Sequence, residues 1–418
     1  MNLSGKHLLI ITSVYPLTPD GNHGTFIREL TLRLLPTKAK FTVFAPAYEA
    51  CPNHTLDGIK VYRFRYCFKR WENLVRDGAP TKLQKQPLYL IAAALYILLG
   101  TFQLFWVCLK EKPDLLHVNW PFPHGLMALP ASKLLKIPMI FSFHGGELLL
   151  AKKFGFVAHI LRWLLPQASS VTANSSFTQS LVNQLTEEQV NIIPYGLTIE
   201  PKLSQKSNYI SLPQLLFVGR LDERKGLRYL LEALPLVLAK RTIRLRVVGK
   251  GILEQELKSQ CHNLGLDSWV DFLGFLTKEE LANEYANCDI FVLPAIVDSK
   301  GDTEGLGIVI IEALAHGKPV IASRVGGIPD VINSGITGIL IPQKDPESLA
   351  NAILSLISNP AAAERMGYKG LEDIKFRFSW ERIIPIWQEV FADVLDDRKF
   401  DKTRIQAQEN SPLTENIS

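Results

Sequence analysis

Cysteine is sparse and scattered: Cys51, Cys67, Cys108, Cys261 and Cys288 lie far apart and form no CxxC pair. That pattern excludes a disulfide framework or a zinc site and leaves isolated thiols in a reducing compartment. No DxD stands at a strand end, so the usual carboxylate pair that holds a divalent metal on a diphosphate is missing. Nor does the start offer a leader, since Met1–Lys6 run straight into an apolar stretch that reads as a strand. A cytoplasmic chain is the expectation. Basic residues do not interleave with exposed aromatics along a groove-sized stretch, which argues against a nucleic-acid partner.

What is present is a globular composition, 47% apolar and 21% charged over 418 residues, too long for a single ordinary core. The net charge of +5 is uneven. Residues 1–200 carry 20 Lys and Arg against 12 Asp and Glu, and residues 201–418 carry 26 against 29. The basic front half suits an anionic membrane surface or an anionic acceptor; a mildly basic soluble domain is the plain alternative.

Short apolar runs alternate with helical patterns, the mark of parallel sheets built from βαβ units. Strands are expected at His7–Pro16, Phe41–Pro46, Leu115–Trp120, Pro138–Gly145, Ser169–Ser175 and Val190–Gly196, with a helix over Phe26–Leu35. These compose a first doubly wound domain, residues 1–197. An aperiodic polar stretch, 198–212, reads as a linker. The pattern then restarts over 213–377, with strands at Gln214–Leu221, Ile243–Gly251, Trp269–Leu276, Cys288–Ala295, Lys318–Gly327 and Thr337–Pro342 and a helix at Leu227–Leu238. A helix over 378–397 is expected to cross back to the first domain, and 398–418 is expected to be a disordered tail. Two Rossmann-like halves facing each other create a cleft at the carboxyl ends of their strands.

One hydrophobic run stands out. Leu88–Leu109 holds 22 residues without a charge, flanked by Lys82, Lys85, Lys110 and Lys112, long enough to span a bilayer. It reads as a helix buried in the domain, a helix lying in a membrane interface, or a span; the last would put strands of one sheet on opposite sides.

Two constellations carry chemistry. From Asp302 to Val320 runs D-x-E-G-L-G-x-x-x-x-E-A-L-A-x-G-x-P-V. Backbone N–H groups of Gly305, Leu306 and Gly307 at a helix start can hold a pyrophosphate. Glu304 and Glu312 can then accept bonds from sugar and ribose hydroxyls. In VGRLDERKG (Val218–Gly226), Arg220 and Lys225 follow a strand, where a guanidinium and an ammonium can neutralise a departing diphosphate.

These residues resemble the family 4 glycosyltransferases, a retaining family of GT-B fold, and the resemblance covers nearly the whole chain. It implies Arg220 and Lys225 at the donor diphosphate, Glu304 at the donor sugar, Glu312 at the ribose, and the backbone around Phe275 at the nucleobase. FHGGE (Phe143–Glu147) is similar to the segment that sets a histidine, here His144, beside the reacting sugar. Ser13–Phe26 matches the family's glycine loop near the phosphates through Gly24, though Asn22 and His23 replace a second glycine. Thr198 stands where the family often has Asp. His124, in HVNWPFPHG (His117–Gly125), is a candidate on the acceptor side or a structural residue.

The expected activity is retaining transfer of a hexosyl group from a UDP- or GDP-sugar to a glycan or lipid-linked glycan, in cell-surface polysaccharide synthesis on the inner face of the cytoplasmic membrane. No cofactor and no metal are expected. Front-face displacement is the preferred route, with a covalent path through Glu304 as the other; His144 and Glu304 orient the sugar in the first. Epimerisation and inverting transfer fit the four charged residues less well. A catalytically silent sugar-nucleotide-binding subunit is the alternative from another class.

Overall fold

The computed structural model describes residues 3–19, 21, 24–48, 50–74, 88–202 and 212–396. The polar middle of the expected linker and the tail beyond 396 lie outside these residues.

The first domain is an eight-stranded sheet ordered β3-β4-β2-β1-β5-β6-β7-β8. Its strands are β1 (His7–Ile11), β2 (Lys40–Pro46), β3 (His54–Leu56), β4 (Ile59–Phe64), β5 (Leu115–Asn119), β6 (Met139–Phe143), β7 (Ser170–Ala173) and β8 (Val190–Ile192). All pairings are parallel except the edge pair β3–β4. Fully buried runs such as His7–Ile11 and Met139–Phe143 are what a sheet covered on both faces requires. The β3–β4 hairpin was not anticipated. Asp57 and Gly58 form its two-residue turn at φ 53 and 78, the Asp-Gly chemistry that such a turn needs.

Among the described residues, six α-helices connect these strands: α1 (Thr25–Leu34), α2 (Leu88–Glu111), α3 (Pro121–Leu135), α4 (Gly146–Lys153), α5 (Gly155–Leu164) and α6 (Ser176–Val182). Helix α2 packs on α3 and buries Ala92, Tyr96, Leu104, Val107 and Cys108. Its other face is open, with Leu98 67%, Phe102 62% and Trp106 58% exposed. Burial inside the domain is therefore half realised. A span is excluded by topology, because α2 joins β4 to β5 and both belong to one sheet.

The second domain is an all-parallel sheet, β11-β10-β9-β12-β13-β14, from β9 (Gln214–Val218), β10 (Arg244–Val248), β11 (Val270–Gly274), β12 (Ile290–Leu293), β13 (Val320–Ser323) and β14 (Ile339–Ile341). Its helices are α7 (Leu227–Leu238), α8 (Glu254–Asn263), α9 (Lys278–Asn287), α10 (Ile308–Ala315), α11 (Ile328–Val331), α12 (Pro346–Ser358) and α13 (Pro360–Arg377). The final helix, α14 (Trp380–Leu395), buries Trp387 and Phe391 against His117 of β5, at ring distances of 4.8 and 5.4 Å. The indole of Trp380 donates to the Leu197 carbonyl at 2.7 Å, so the last helix is stapled to the first domain. Strand order reverses beside β1 and β9, and the loops leaving those strands open onto the crevice between the domains.

Candidate active site

The loop after β9 builds the cationic wall. Gly219 makes room for the Lys225 stem: a Cβ at residue 219 would lie 3.3 Å from Lys225 Cδ. Gly226 follows at φ 68, where a Cβ would lie 1.8 Å from the Pro294 carbonyl oxygen, so only glycine fits. The result aims Lys225, 6% exposed, at the Glu304 carboxylate, and the two form an ion pair. Arg224 lies 3.6 Å from the same carboxylate and donates to the Thr303 carbonyl at 3.2 Å. Burial would raise the Glu304 pKa, but Lys225 and then Arg224 more than reverse this and hold it at about 2. Arg220 is exposed and pairs with Asp222 at 3.1 Å.

Glu304 opens the turn Gly305–Leu306–Gly307 that leads into α10, with Gly307 at φ 93. The N–H groups of this turn precede the first intrahelical bonds, and its three residues line the cleft, where such a helix start can bind an anion. The first domain presses on the same turn. Ser175 Oγ donates to the Gly305 carbonyl at 2.6 Å, and a Cβ on Gly305 would lie 3.2 Å from the His144 carbonyl oxygen. Asp330 also receives bonds from the Ser176 N–H and hydroxyl. Farther along α10, Glu312 is buried and takes hydrogen bonds from the Thr198 hydroxyl and, at 2.9 Å, from Tyr285. Burial raises its pKa and those two bonds oppose the rise. Thr198 thus supplies a donor to Glu312 where an aspartate would repel it.

Across the cleft, His144 follows β6. Its Nε2 lies 2.9 Å from Asn119 Oδ1, whose amide nitrogen donates to the Ile11 carbonyl at 3.3 Å. Nε2 therefore carries the proton, and Nδ1 accepts from the Tyr195 hydroxyl at 2.5 Å. Tyr195 accepts in turn from Asn174 Nδ2 at 2.9 Å. Burial lowers the His144 pKa to about 3, with His117 adding to the effect, so the imidazole is neutral with both nitrogens occupied. Phe26, Trp120 and Tyr195 surround its ring at 5.3, 4.3 and 5.7 Å. This fixed, neutral ring can shape a sugar site; it cannot carry a proton without breaking the network. Beneath it, Glu147 accepts from the His144 N–H at 2.9 Å, and burial pushes its pKa up to about 7 against bonds from backbone N–H groups.

His144, Arg220, Lys225, Glu304, Gly305, Leu306, Gly307 and His124 all line one cleft of 1170 Å³. Within it His124 is a structural piece: buried, its Nε2 lies 2.9 Å from the Tyr96 hydroxyl and its Nδ1 2.9 and 3.0 Å from the carbonyls of Asn119 and Trp120. Burial lowers its pKa to about 4, against those two carbonyls. Gly24 caps α1 at φ 74, forced there because a Cβ would lie 2.6 Å from the Val14 carbonyl oxygen; Asn22 and His23 lie outside the described residues. Phe275, 63% exposed, sits past the end of β11 and outside the cleft lining. Sequence reasoning missed Arg224, Asn119, Asn174 and Tyr195. Arg224 was one residue from the quoted Lys225, and Asn119, Asn174 and Tyr195 each stand at or just past a strand end. Among the described residues no group of three His, Cys, Asp or Glu is arranged to hold a metal ion.

Comparisons with known proteins agree with this layout. A family model described as Glycosyltransferase Family 4 matches residues 23–200, and one described as Glycosyl transferases group 1 matches residues 201–373. An uncharacterized glycosyltransferase of Methanocaldococcus jannaschii is 25% identical over 90% of this chain and 95% of its own length. Among solved structures, sucrose-phosphate synthase from Thermosynechococcus elongatus superposes with a TM-score of 0.74 at 20% identity, covering 94% of this chain and all of that one. HepE of Anabaena, in complex with UDP-glucose, gives 0.69 at 20% identity over 93% and 99%. With one model on each domain and two parallel-sheet halves enclosing the site, the chain belongs to the family 4 glycosyltransferases and has the GT-B fold.

Proposed function

We propose that this protein is a retaining glycosyltransferase that moves a hexosyl group from a UDP- or GDP-sugar to a glycan or lipid-linked glycan, in surface polysaccharide synthesis at the inner face of the cytoplasmic membrane. The observation that carries the reading is the Lys225–Glu304 pair, set beside the Gly305–Gly307 turn and opposite His144. Each partner neutralises the other. A donor replaces both halves of that interaction at once: its diphosphate takes Lys225, Arg220 and the turn N–H groups, and its sugar hydroxyls donate to Glu304. Charge that grows on the diphosphate as the anomeric C–O bond breaks then meets cations already in place. The acceptor oxygen bonds to the anomeric carbon on the face the phosphate leaves, and a phosphate oxygen takes the acceptor's proton. The neutral His144 and the aromatic rings around it hold the sugar without supplying a nucleophile. Contacts between Ser175 and Gly305 close the domains over the site and limit water attack.

The test is a panel of UDP- and GDP-linked sugars against purified protein, reading thermal shift and nucleoside diphosphate release in EDTA. One donor is expected to raise the unfolding transition and to release its diphosphate slowly with EDTA present. A donor shift without release would turn the reading toward a silent binding subunit, absence of any donor shift would overturn the donor site, and release that depends on a divalent cation would overturn the cationic account of the leaving group.

A further inference from the structure

The cleft does not end where a nucleotide-sugar would. Its 1170 Å³ exceeds the roughly 300–1,000 Å³ of an ordinary small-molecule site. Beyond His144 it continues as an arm between α2 and α4–α5. The arm is walled by Leu90, Ala93 and Ile97 on one side and by Leu149, Leu150 and Phe154 on the other. Its polar atoms are already spent, since the Tyr96 hydroxyl and His124 Nε2 bond each other at 2.9 Å. A glycan in this arm would lose hydration without gaining partners. An alkyl or prenyl chain would lose nothing.

The arm also leads somewhere. Leu90 and Phe156 line it and are themselves exposed, so its mouth opens on the outer faces of α2 and α5. Those faces present Ile91, Leu98, Phe102 and Trp106 on α2 and Trp163 on α5. The exposed charges around them are mostly basic. Lys69, Arg70, Lys110, Lys112, Lys152, Lys153 and Arg162 are exposed, whereas Glu72, Glu111 and Glu147 are buried, and the exposed Asp114 accepts from the His7 N–H at 2.7 Å. An apolar patch with a predominantly cationic rim is complementary to an anionic bilayer.

We propose that this arm is the subsite for the apolar chain of a lipid acceptor, which passes from an anionic bilayer, between α2 and α4–α5, so that its hydroxyl-bearing head reaches His144. This rests on the transferase reading above and narrows its acceptor to an amphiphile with a sugar or hydroxyl head on one long chain. Channel and surface are separate claims on separate residues: Ala93 and Ala94 line the arm, while Phe102 and Trp106 lie on the outer face.

The experiment uses the full chain and three probes. UDP and GDP report the donor site. Dodecyl maltoside below its micelle concentration, compared with maltose, reports the chain subsite. Flotation with phosphatidylcholine vesicles containing about one third phosphatidylglycerol reports the surface. Dodecyl maltoside is expected to bind at least about tenfold more tightly than maltose. Ala94→Trp, or Ala93→Phe should the first fold poorly, is expected to abolish that preference while nucleotide binding is unchanged. Phe102→Asp with Trp106→Asp is expected to abolish flotation and keep the preference. Equal binding of the two sugars, or a preference that survives both arm-filling variants, overturns the chain subsite. Wild-type protein that stays with the unbound fraction overturns entry from the bilayer. If UDP and GDP both fail to bind wild type, the transferase reading fails, and that outcome is distinct from the others.

Discussion

Replacing Lys225 by methionine isolates the electrostatic core of the site. The methionine stem keeps the contact along Gly219, so the change removes charge more than packing. Glu304 titrates at about 2 against an ordinary 4.5. At about 1.4 kcal/mol per unit, that depression corresponds to about 3 kcal/mol of folding stability. Because the folded pKa lies below the unfolded one, the contribution is complete above about pH 4.5 and fades as pH falls through about 2. Arg224, 3.6 Å from the carboxylate, retains part of it in the variant. The expected loss at pH 7 is therefore about 2 kcal/mol, which for a domain of this size lowers the transition by about 4–8 °C. Adding Glu304→Gln should restore most of that loss, because no unpaired charge is then left buried. Nucleotide affinity should stay low in both variants, by about tenfold or more. Thermal melts at pH 7 and near pH 3, with calorimetric titration of UDP and GDP, give every reading. A Lys225→Met protein as stable as wild type at pH 7, or equally destabilised at both pH values, would refute the account, as would normal nucleotide binding.

Glu147 should make stability fall as pH rises. Its folded pKa, about 7, lies above the unfolded value, so the folded state keeps a proton that the unfolded state has released between about pH 4.5 and 7. Glu147→Gln still accepts the His144 N–H and should flatten that slope, gaining up to about 3 kcal/mol at pH 8 by urea denaturation; an unchanged slope assigns it to another group. Tyr195→Phe leaves His144 Nδ1 and Asn174 Nδ2 without their shared partner, at a cost of about 1–3 kcal/mol in site order. Steady-state kinetics should show kcat reduced by about tenfold and the donor KM little changed, and a change confined to KM would place Tyr195 in donor binding instead.

What could be read in the sequence was what is local. Every strand taken from an apolar run appears in one of the two sheets, because a strand covered on both faces needs nothing beyond its own composition to declare itself. The Gly305–Gly307 turn and the Gly219–Gly226 loop could be read from their glycines, with Gly226 and Gly307 at positive φ and Gly219 against the Lys225 stem, but the crowding of Gly226 by Pro294 and of Gly305 by His144 comes from distant parts of the chain. The β3–β4 hairpin was equally local, and its Asp57–Gly58 signal was simply not used. By contrast, the network that fixes His144 draws Asn119, Asn174 and Tyr195 from three separate segments. They meet only because β5, β6, β7 and β8 are neighbours in one sheet. Thr198 and Glu312 are 114 residues apart and belong to different parts of the chain, so no spacing rule could pair them. Helix α2 shows the same limit from the other direction. Its sequence is apolar on every side, and composition alone cannot say which side has a partner. Packing on α3 answers that for Ala92, Tyr96 and Leu104 and leaves Leu98, Phe102 and Trp106 facing outward. Since β4 and β5 hold both ends of this helix to one sheet, its outer face stays at the protein's surface, where the bilayer proposed above would have to meet it.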